Sequence, residues 1–372
     1  MRIAIDARFY RSSTGGIGRY ARGLVKELAK IDQENEYTII ISREDLLEFD
    51  IKKDNFKPLV VDFIHYTVAE QIKFLKLLND HQFDLVHFTN FNHPILYKGK
   101  FVITVHDLTL MLFPYGRQKS SIKQFAFRAV MKNAIKKAEK IISISKATEN
   151  DLVKYLNADP KKIDVIYEGI DSEYNKPQVK NSNSKVASKY NIINPYILFV
   201  SQWRPHKGLP DLVKAFEILK EKYNIVQDLV IVGKPNKEFP DVIDAIENSK
   251  YTKNIIKPGF IDEADLPLIY QNADLFVFPS HYEGFGLPPL EAMASGIPVV
   301  ASNISCMPEI LGDAAEYFDP NNSADIAEKI YGVLSMKDKQ KSMINKGFDQ
   351  IKKYSWHKMA EETLRVYQEA TK

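Results

Sequence analysis

Short apolar runs alternate with longer amphipathic stretches along most of the 372 residues, and this alternation constrains the fold more than any other feature. Short apolar runs predict strands, and stretches with apolar residues every three or four positions predict helices. Parallel strands need helical crossovers, so the alternation indicates a doubly wound α/β sheet covered on both faces. In the first half, strands are predicted at residues 2–8, 37–42, 85–88, 101–106 and 140–145, and helices at 19–31 and 121–140.

A polar stretch at residues 175–185 interrupts this pattern and is the best candidate for a linker. The pattern then restarts, with predicted strands at 196–201, 228–233, 275–279 and 298–301 and a predicted helix at 209–223. A last helix is predicted at 355–371, where Ser355 is a suitable N-cap. The sequence therefore predicts two α/β domains, 1–175 and 186–354, with a cleft between them, and a terminal helix that must dock on a domain.

Composition excludes several classes of protein. The formal net charge is +3, which argues against nucleic-acid binding by the molecule as a whole. The one cysteine, Cys306, cannot form an intramolecular disulfide and fits a reducing compartment. No stretch approaches the roughly 20 apolar residues that span a bilayer, and the first apolar run is too short for a signal peptide. The expected location is the cytoplasm, with peripheral contact at the inner face of the membrane left open.

Positive charge is concentrated in residues 98–140, which hold ten Lys or Arg and two acidic residues. On the helix predicted at 121–140, the residues expected to pack are Ile122, Phe125, Ala126, Ala129, Ala134 and Ile135. The basic residues on another face are Lys123, Arg128, Lys132, Lys136 and Lys140. Such a face is compatible with a solvated surface or with contact to anionic lipid headgroups. The sequence leaves both interpretations open.

A glycine-rich segment, from Gly16 to Ala21, satisfies the dinucleotide fingerprint G-x-G-x-x-A. An NAD-dependent oxidoreductase is therefore one alternative, with Glu44 placed to bind a ribose. Residues 9–15 separate Gly16 from the predicted strand, however, whereas the fingerprint needs its first glycine directly after the strand. Gly15 and Gly16 before a helix still suit a phosphate contact through backbone N–H groups. A loop that binds no ligand is the remaining alternative.

Two basic side chains, Arg204 and Lys207, follow the strand predicted at 196–201 and precede the helix predicted at 209–223. Cations beside a helix N-terminus form a positive corner that suits a diphosphate. The alternative is a solvated loop, because Arg and Lys are common in loops.

The segment from Glu283 to Glu291 is the most specific signal in the chain. Gly284 and Gly286 allow the backbone to approach a ligand closely, and the two prolines that follow suit the first turn of a helix. Glu291 then falls about two turns into that helix, where its carboxylate can bind the vicinal diol of a ribose. Glu283 is placed to do the same for a sugar ring. No Asp-x-Asp occurs in the chain, so a Mg²⁺ or Mn²⁺ site of that kind is not expected.

This segment resembles the E-x7-E motif of retaining glycosyltransferases with the GT-B fold, specifically family four, the group 1 glycosyltransferases. The resemblance covers nearly the whole chain. Further similar segments are Gly15 to Tyr20, His106-Asp107, Ser143 to Thr148 (S-x-S-x-x-T), the pair Arg204 and Lys207, Ala294 to Val300, and the helix that begins with Trp356. The Arg-Pro-His-Lys run at 204–207 is similar to that of bacterial mannosyltransferases of surface-polysaccharide synthesis. In one departure, the family's arginine aligns with Gln202.

The resemblance implies two Rossmann-like domains that face a central cleft, the first on the acceptor side and joined by the terminal helix 355–372. It implies catalytic roles for His106, Lys207 and Glu283. The donor-binding residues that it implies are Gly15, Gly16, Arg204, Lys207, Gly233, Phe260, Ile261, Glu283, Gly284, Phe285, Gly286, Leu287 and Glu291.

These residues divide into roles that the resemblance also implies. Lys207 and Arg204 would bind the donor diphosphate, helped by the N–H groups of Gly15 and Gly16. Glu291 would hold the ribose, and Glu283 the transferred sugar, together with the backbone at 285 and 286. His106 would contact that sugar near its anomeric carbon, and the base would lie near residues 233 and 259–261.

The implied activity is retaining transfer of a hexose from a nucleotide sugar to a glycan or lipid-linked acceptor, without a metal or other cofactor. GDP-mannose is the best candidate for the donor, and a lipid-linked acceptor would suit a basic helix that contacts an anionic membrane. Besides the NAD-dependent oxidoreductase, three alternatives remain: a nucleotide-sugar epimerase, a phosphorylase with pyridoxal phosphate on a lysine, and an inactive module that binds a nucleotide sugar.

Overall fold

A computed structural model describes residues 1–11, 15–63, 65–114, 121–175 and 185–372. The chain forms two compact units, one of Met1–Gly169 together with Ser355–Lys372 and the other of Ile170–Tyr354. Most of the predicted linker, residues 176–184, lies outside the described residues, as does the segment 12–14 before the glycine loop.

The first unit contains a sheet of seven parallel strands. The strands are β1 (Arg2–Asp6), β2 (Glu36–Ser42), β3 (Phe56–Val61), β4 (Leu85–Phe88), β5 (Phe101–Val105), β6 (Lys140–Ser143) and β7 (Ile163–Val165). They lie in the order β3-β2-β1-β4-β5-β6-β7. The helices between them are α1 (Gly16–Ile31), α2 (Val68–His81), α3 (Thr109–Leu112), α4 (Ser121–Lys137) and α5 (Lys146–Leu156).

The second unit contains six parallel strands. They are β8 (Tyr196–Val200), β9 (Asp228–Val232), β10 (Ile255–Gly259), β11 (Leu275–Phe278), β12 (Val299–Ser302) and β13 (Ala315–Phe318), in the order β10-β9-β8-β11-β12-β13. The helices are α6 (Lys185–Lys189), α7 (Leu209–Tyr223), α8 (Pro240–Glu247), α9 (Leu266–Asn272), α10 (Leu287–Ala294), α11 (Met307–Leu311), α12 (Ser323–Leu334) and α13 (Lys337–Ile351). Two parallel sheets flanked by helices confirm the predicted α/β class.

The four strands that the sequence pattern does not predict, β3, β7, β10 and β13, are the edge strands of the two sheets. Edge strands are less buried than central ones, so their apolar signal is weaker. Two of them also contain a proline, Pro58 in β3 and Pro258 in β10. Proline cannot donate a ladder hydrogen bond, and a sheet accepts it at an edge. The missed strands therefore share one physical cause.

Several predicted boundaries shift at the carboxyl ends of the strands. β1 ends at Asp6 rather than at residue 8, β5 at Val105 rather than at 106, and β6 at Ser143 rather than at 145. In the opposite sense, α1 begins at Gly16, three residues before the predicted start. The residues released from the strands join the loops at the carboxyl end of the sheet.

The predicted packed face of α4 is wrong in its first half. Phe125 is 76% exposed, and Ala126 and Ala129 are also exposed. Phe127 packs edge-on against Phe91, with centroids 4.9 Å apart, and the buried positions lie in the second half, as predicted for Ala134 and Ile135. Alanine fits both a packed and an exposed helix face, so its periodicity does not distinguish them. The side chains of residues 121–123 lie outside the described part of the chain.

The end of the basic helix also differs from the prediction. α4 ends at Lys137, and Lys140 begins β6 instead of continuing the basic face. Its Nζ atom lies 3.0 Å from Asp164 Oδ2 and 2.8 Å from Glu369 Oε2. Lys140 therefore binds neighbouring carboxylates of the first unit.

The C-terminal helix, α14 (Trp356–Thr371), packs against α1 within the first unit. The Oγ atom of Ser355 accepts a hydrogen bond from the N–H of Lys358, as an N-cap does. The Trp356 indole occupies a space that two glycines leave open. A Cβ atom on Gly23 would lie 2.7 Å from Trp356 Cε3, and one on Gly169 would lie 2.1 Å from the Trp356 backbone nitrogen.

Within the described part of the chain, no helix combines the length and the apolar character that crossing a membrane would need.

Two helical glycines allow a matched test of the packing of Trp356 against α1. Alanine normally stabilises a helix by about 1 kcal/mol relative to glycine. We expect Gly332→Ala in α12 to raise the free energy of unfolding, because nothing lies within 4 Å of the added Cβ atom. We expect Gly23→Ala in α1 to lower it, because overlap with the indole costs about 1–3 kcal/mol. Urea unfolding of both variants measures the difference; a stabilising Gly23→Ala would contradict the packing of Trp356.

Candidate functional site

Most of the predicted site residues lie at the carboxyl end of the second sheet. Strand order reverses beside β8, because β9 follows on one side and β11 on the other. In open α/β sheets, ligands bind outside the carboxyl ends of the strands at such a switch point. Lys207 lies in the loop after β8, and Glu283 lies in the loop after β11. The topology therefore brings these two predicted residues together.

Lys207 and Glu283 form an ion pair, with Lys207 Nζ 2.6 Å from Glu283 Oε1. Their side chains are only 15% and 13% exposed. Lys207 Nζ also lies 5.9 Å from the centroid of the Phe278 ring, at the end of β11. A charge-assisted hydrogen bond with little solvent around it is stronger than one at the surface. The pair thus places an ammonium and a carboxylate side by side at the switch point.

Backbone contacts hold the two loops against each other. The N–H of His281 donates to the carbonyl of His206 over 2.7 Å. Gly208 has φ +69°, and a Cβ atom there would lie 2.1 Å from the carbonyl oxygen of Pro279. Only glycine fits both this conformation and this close approach. The loop with Lys207 therefore lies directly on the chain that leads from β11 to Glu283.

Ser305 fixes the backbone of Glu283. Its Oγ atom accepts a hydrogen bond from the Glu283 N–H over 3.2 Å and donates one to the Glu283 carbonyl. Ser305 itself has φ +56°, a left-handed conformation that is uncommon for serine. The sequence analysis gives no signal for this residue, because it lies 22 positions away in the loop after β12.

His206 lies between the two basic residues and adds no charge of its own near neutral pH. It is buried, and burial lowers its pKa to about 3, assisted by the positive charges of Lys207 and Arg204. Arg204 is half-buried and begins the short turn 205–207. Arg204 and Lys207 are thus the two basic side chains at this end of β8, and their role with a diphosphate stays a prediction.

Glu291 lies on α10 and is almost fully buried. Its Oε2 atom accepts a hydrogen bond from the Tyr270 hydroxyl over 2.9 Å. Gly286 precedes the helix with φ +97°, where a Cβ atom would lie 2.4 Å from Met307 Cε. Tyr270 is on α9 and was not a predicted site residue, because nothing in the local sequence indicates which helix faces Glu291.

The residues between the two glutamates contribute mainly through their backbone. Gly284, Phe285 and Leu287 are buried. The Phe285 ring packs edge-on against Tyr354, with centroids 5.5 Å apart, and its carbonyl accepts a hydrogen bond from Cys306 Sγ. The Phe285 side chain is therefore part of the core.

The residues predicted to lie near a base follow the next two strands. Gly233 follows β9, and its N–H donates to the carbonyl of Gly259 in β10 over 3.0 Å. Ile261 is buried, whereas Phe260 is 56% exposed. Lys234 Nζ lies 5.1 Å from the centroid of the Phe260 ring. An exposed aromatic ring beside a cation is a surface on which a planar ligand can stack.

His106 lies at the carboxyl end of β5 in the first unit, and its surroundings fix the ring. Its Nε2 atom lies 2.8 Å from the Thr89 carbonyl, and its Nδ1 atom lies 3.4 Å from Glu168 Oε1. The Tyr20 ring meets it edge-on, with centroids 4.9 Å apart. Thr148 Oγ1 donates to the His106 carbonyl, so the S-x-S-x-x-T segment supports this histidine.

Gly15 and Gly16 also belong to the first unit. Gly15 is the N-cap of α1, with φ +75°, and among the described residues no side chain caps this helix. The first N–H groups of a helix have no partner within it and favour an anion. β1 ends at Asp6, so the glycines do not follow the strand directly, which argues against the dinucleotide turn of an NAD enzyme.

Among the residues that the structure describes, no group of three or more His, Cys, Asp or Glu side chains is arranged to hold a metal ion.

Two family models match most of the chain. The model described as "Glycosyl transferases group 1" matches residues 183–350, and the model described as "Glycosyltransferase Family 4" matches residues 14–174. Among similar proteins, O-antigen chain mannosyltransferase B of Escherichia coli is 26% identical over 369 residues, which cover 95% of each chain.

Solved structures share the fold at low sequence identity. Sucrose-phosphate synthase from Thermosynechococcus elongatus has a TM-score of 0.80 at 18% identity, over 99% of this chain and 98% of that chain. HepE of Anabaena, in complex with UDP-glucose, has a TM-score of 0.78 at 18% identity, over 99% of each chain. These similarities confirm the predicted GT-B fold class of two Rossmann-like α/β domains.

Proposed function

The chain belongs to the group 1 glycosyltransferases, and from this premise we propose that it transfers mannose from GDP-mannose to a glycan or lipid-linked acceptor of cell-surface polysaccharide synthesis. The observation that carries the proposal is the Lys207–Glu283 pair at the switch point of the second sheet. It offers a cation for a diphosphate next to a carboxylate for sugar hydroxyls. The similarity to an O-antigen chain mannosyltransferase supports mannose as the sugar.

The proposed donor contacts follow the geometry of the second unit. Lys207 and Arg204 bind the diphosphate, and the buried Glu291 binds the ribose. Glu283 binds the transferred sugar, together with the backbone of 284–287. The base stacks near Phe260, beside Gly233 and Ile261. In the first unit, the proposal assigns His106 to the sugar and the N–H groups of Gly15 and Gly16 to an anionic group.

The proposed chemistry is transfer with retention at the anomeric carbon. As the bond to the leaving phosphate breaks, negative charge develops on the phosphate oxygen, and the Lys207 ammonium stabilises it. That oxygen accepts the proton of the acceptor hydroxyl on the same face of the sugar, so the step needs no separate base. The proposal includes no metal ion, because the cations of Arg204 and Lys207 balance the diphosphate.

The first experiment identifies the donor and tests the role of Lys207. We expect GDP-mannose to raise the melting temperature more than UDP or ADP sugars do, and transfer to continue in EDTA with the product retaining its anomeric configuration by NMR. Lys207→Ala should lower turnover about 100-fold, since one donor to developing charge is worth a few kcal/mol. Lys250→Ala, which also removes an ion-paired lysine of the second unit, is the control.

Two outcomes would contradict this proposal. Near-wild-type turnover in Lys207→Ala would remove Lys207 from the mechanism. Release of free nucleotide and an altered sugar without any acceptor would instead indicate that the protein is a nucleotide-sugar epimerase.

We also propose that α4 contacts anionic lipid, which would bring the chain to a lipid-linked acceptor. The exposed Phe125 lies on the same helix as the exposed basic residues Arg128, Lys132 and Lys136. Exposed apolar and basic side chains on one helix favour a membrane surface. Each such cation near anionic headgroups contributes about 1 kcal/mol.

Vesicle flotation tests this contact. We expect the chain to float with anionic vesicles at low salt and to remain in solution with neutral ones. Replacement of Arg128, Lys132 and Lys136 by Gln should weaken binding at least about tenfold. The matched control replaces the exposed Lys337, Lys341 and Lys352 of the second unit by Gln, with the same loss of charge. Equal binding by both triple variants would contradict a role for α4.

A further inference from the structure

Glu168 is a buried carboxylate that faces the ring of His106. Its side chain is 3% exposed, and that of His106 is 9% exposed. Glu168 Oε1 lies 3.4 Å from His106 Nδ1. The residue follows β7, the edge strand of the first sheet, and no motif of the sequence identifies it. Burying a carboxylate costs free energy unless a partner compensates its charge.

The partners of the His106 ring determine where its protons lie. The Nε2 atom faces the Thr89 carbonyl, which can only accept a hydrogen bond, so Nε2 carries a proton. The Nδ1 atom faces a carboxylate oxygen. If Nδ1 lacked a proton, its lone pair would lie against a negative charge in a site with little water. A proton between the two atoms removes this repulsion.

Two neighbouring titratable groups, His87 and Tyr20, do not supply a charge. His87 lies one strand away, with Nδ1 bonded to the Tyr367 hydroxyl and Nε2 to Thr104 Oγ1. Burial, assisted by the charge of His106, lowers the pKa of His87 to about 3. Burial also raises the pKa of the Tyr20 hydroxyl, so that group stays protonated. The carboxylate that lies against His106 Nδ1 is that of Glu168.

We infer that Glu168 is a positioning residue that holds a proton on His106 Nδ1, so that the ring is an imidazolium paired with a buried carboxylate. The inference rests on the proposed role of His106 in the transfer reaction. The pair has no net charge, which makes its burial acceptable. With Nδ1 facing the Glu168 carboxylate and Nε2 bonded to the Thr89 carbonyl, the ring has one orientation and one protonation state.

The close packing of Trp356 on Gly169 fixes the backbone next to Glu168. Gly169 follows directly, and its Cα packs so closely on Trp356 that a Cβ atom would lie 2.1 Å from the Trp356 nitrogen. On the other side, the N–H of Ile166 donates to the Ser143 carbonyl over 2.9 Å. Glu168 is thus held between β7 and α14, and its carboxylate has a defined place beside His106.

The wild-type protein can be tested without any variant. In the full chain labelled with 15N-histidine, we expect the His106 signals near neutral pH to show both ring nitrogens protonated. Comparison with His106→Gln assigns the signals. A neutral ring with a proton on Nε2 alone would overturn the inference.

Glu168→Gln then tests the positioning role. The amide keeps the shape but not the charge, so we expect a neutral His106 ring in the spectrum. Turnover should fall about tenfold, because the ring loses the charged partner that holds it, with the KM for the donor within about twofold of wild type. The control is Glu149→Gln, which removes another buried carboxylate of the first unit that is paired with a lysine. It should change neither the His106 ring signals nor the turnover.

The outcomes separate this inference from the proposed function. Wild-type turnover and an unchanged ring signal in Glu168→Gln would overturn the inference while transfer itself stands. Failure to transfer sugar from any donor would overturn the proposed function, and the NMR spectrum would still decide the protonation of His106.

Discussion

The reversal of strand order at a switch point is the constraint on which the rest of the site depends. In each sheet the first strand of the unit has the next strand on one side and a later strand on the other. The loops that follow the two neighbouring strands run to opposite faces of the sheet. This separates the loops at the carboxyl ends of the strands and leaves room for a ligand. In the second sheet, one of the parting loops carries Lys207 and the other carries Glu283. Two residues that are far apart in the chain therefore meet without any local sequence signal for the contact.

Backbone hydrogen bonds organise the ion pair at this point. Lys207 and Glu283 are both largely buried, and isolated burial of either charge would be costly. Hydrogen bonds to the backbone hold the two loops in place, through His206 and His281 on one side and Ser305 on the other. A nucleotide sugar places a diphosphate and sugar hydroxyls on neighbouring atoms, which matches a neighbouring cation and carboxylate. Preorganised charges of this kind need little rearrangement during reaction.

The sequence predicts the elements and the charged residues well, and their partners poorly. The central strands and α7 are predicted because a buried strand or an amphipathic helix leaves a local pattern. The four edge strands are missed because partial exposure and prolines weaken that pattern. Tyr270, Ser305 and Glu168 are missed because each acts through a residue on another element, and the pairing of elements is set by the sheet order. The packed face of α4 is wrong for a related reason, since alanine fits buried and exposed positions alike.

The affinity of the Glu283→Gln variant for GDP tests the central claim most directly. Glu283 is ion-paired with Lys207. Removing the charge of Glu283 therefore frees the Lys207 ammonium and removes a repulsion against the diphosphate. The account predicts that calorimetric titration gives GDP binding roughly three- to tenfold tighter than in wild type, a change of about 1 kcal/mol, while sugar transfer is lost. Unchanged or weaker GDP binding, with transfer retained, would contradict the claim that this ion pair is where the donor binds.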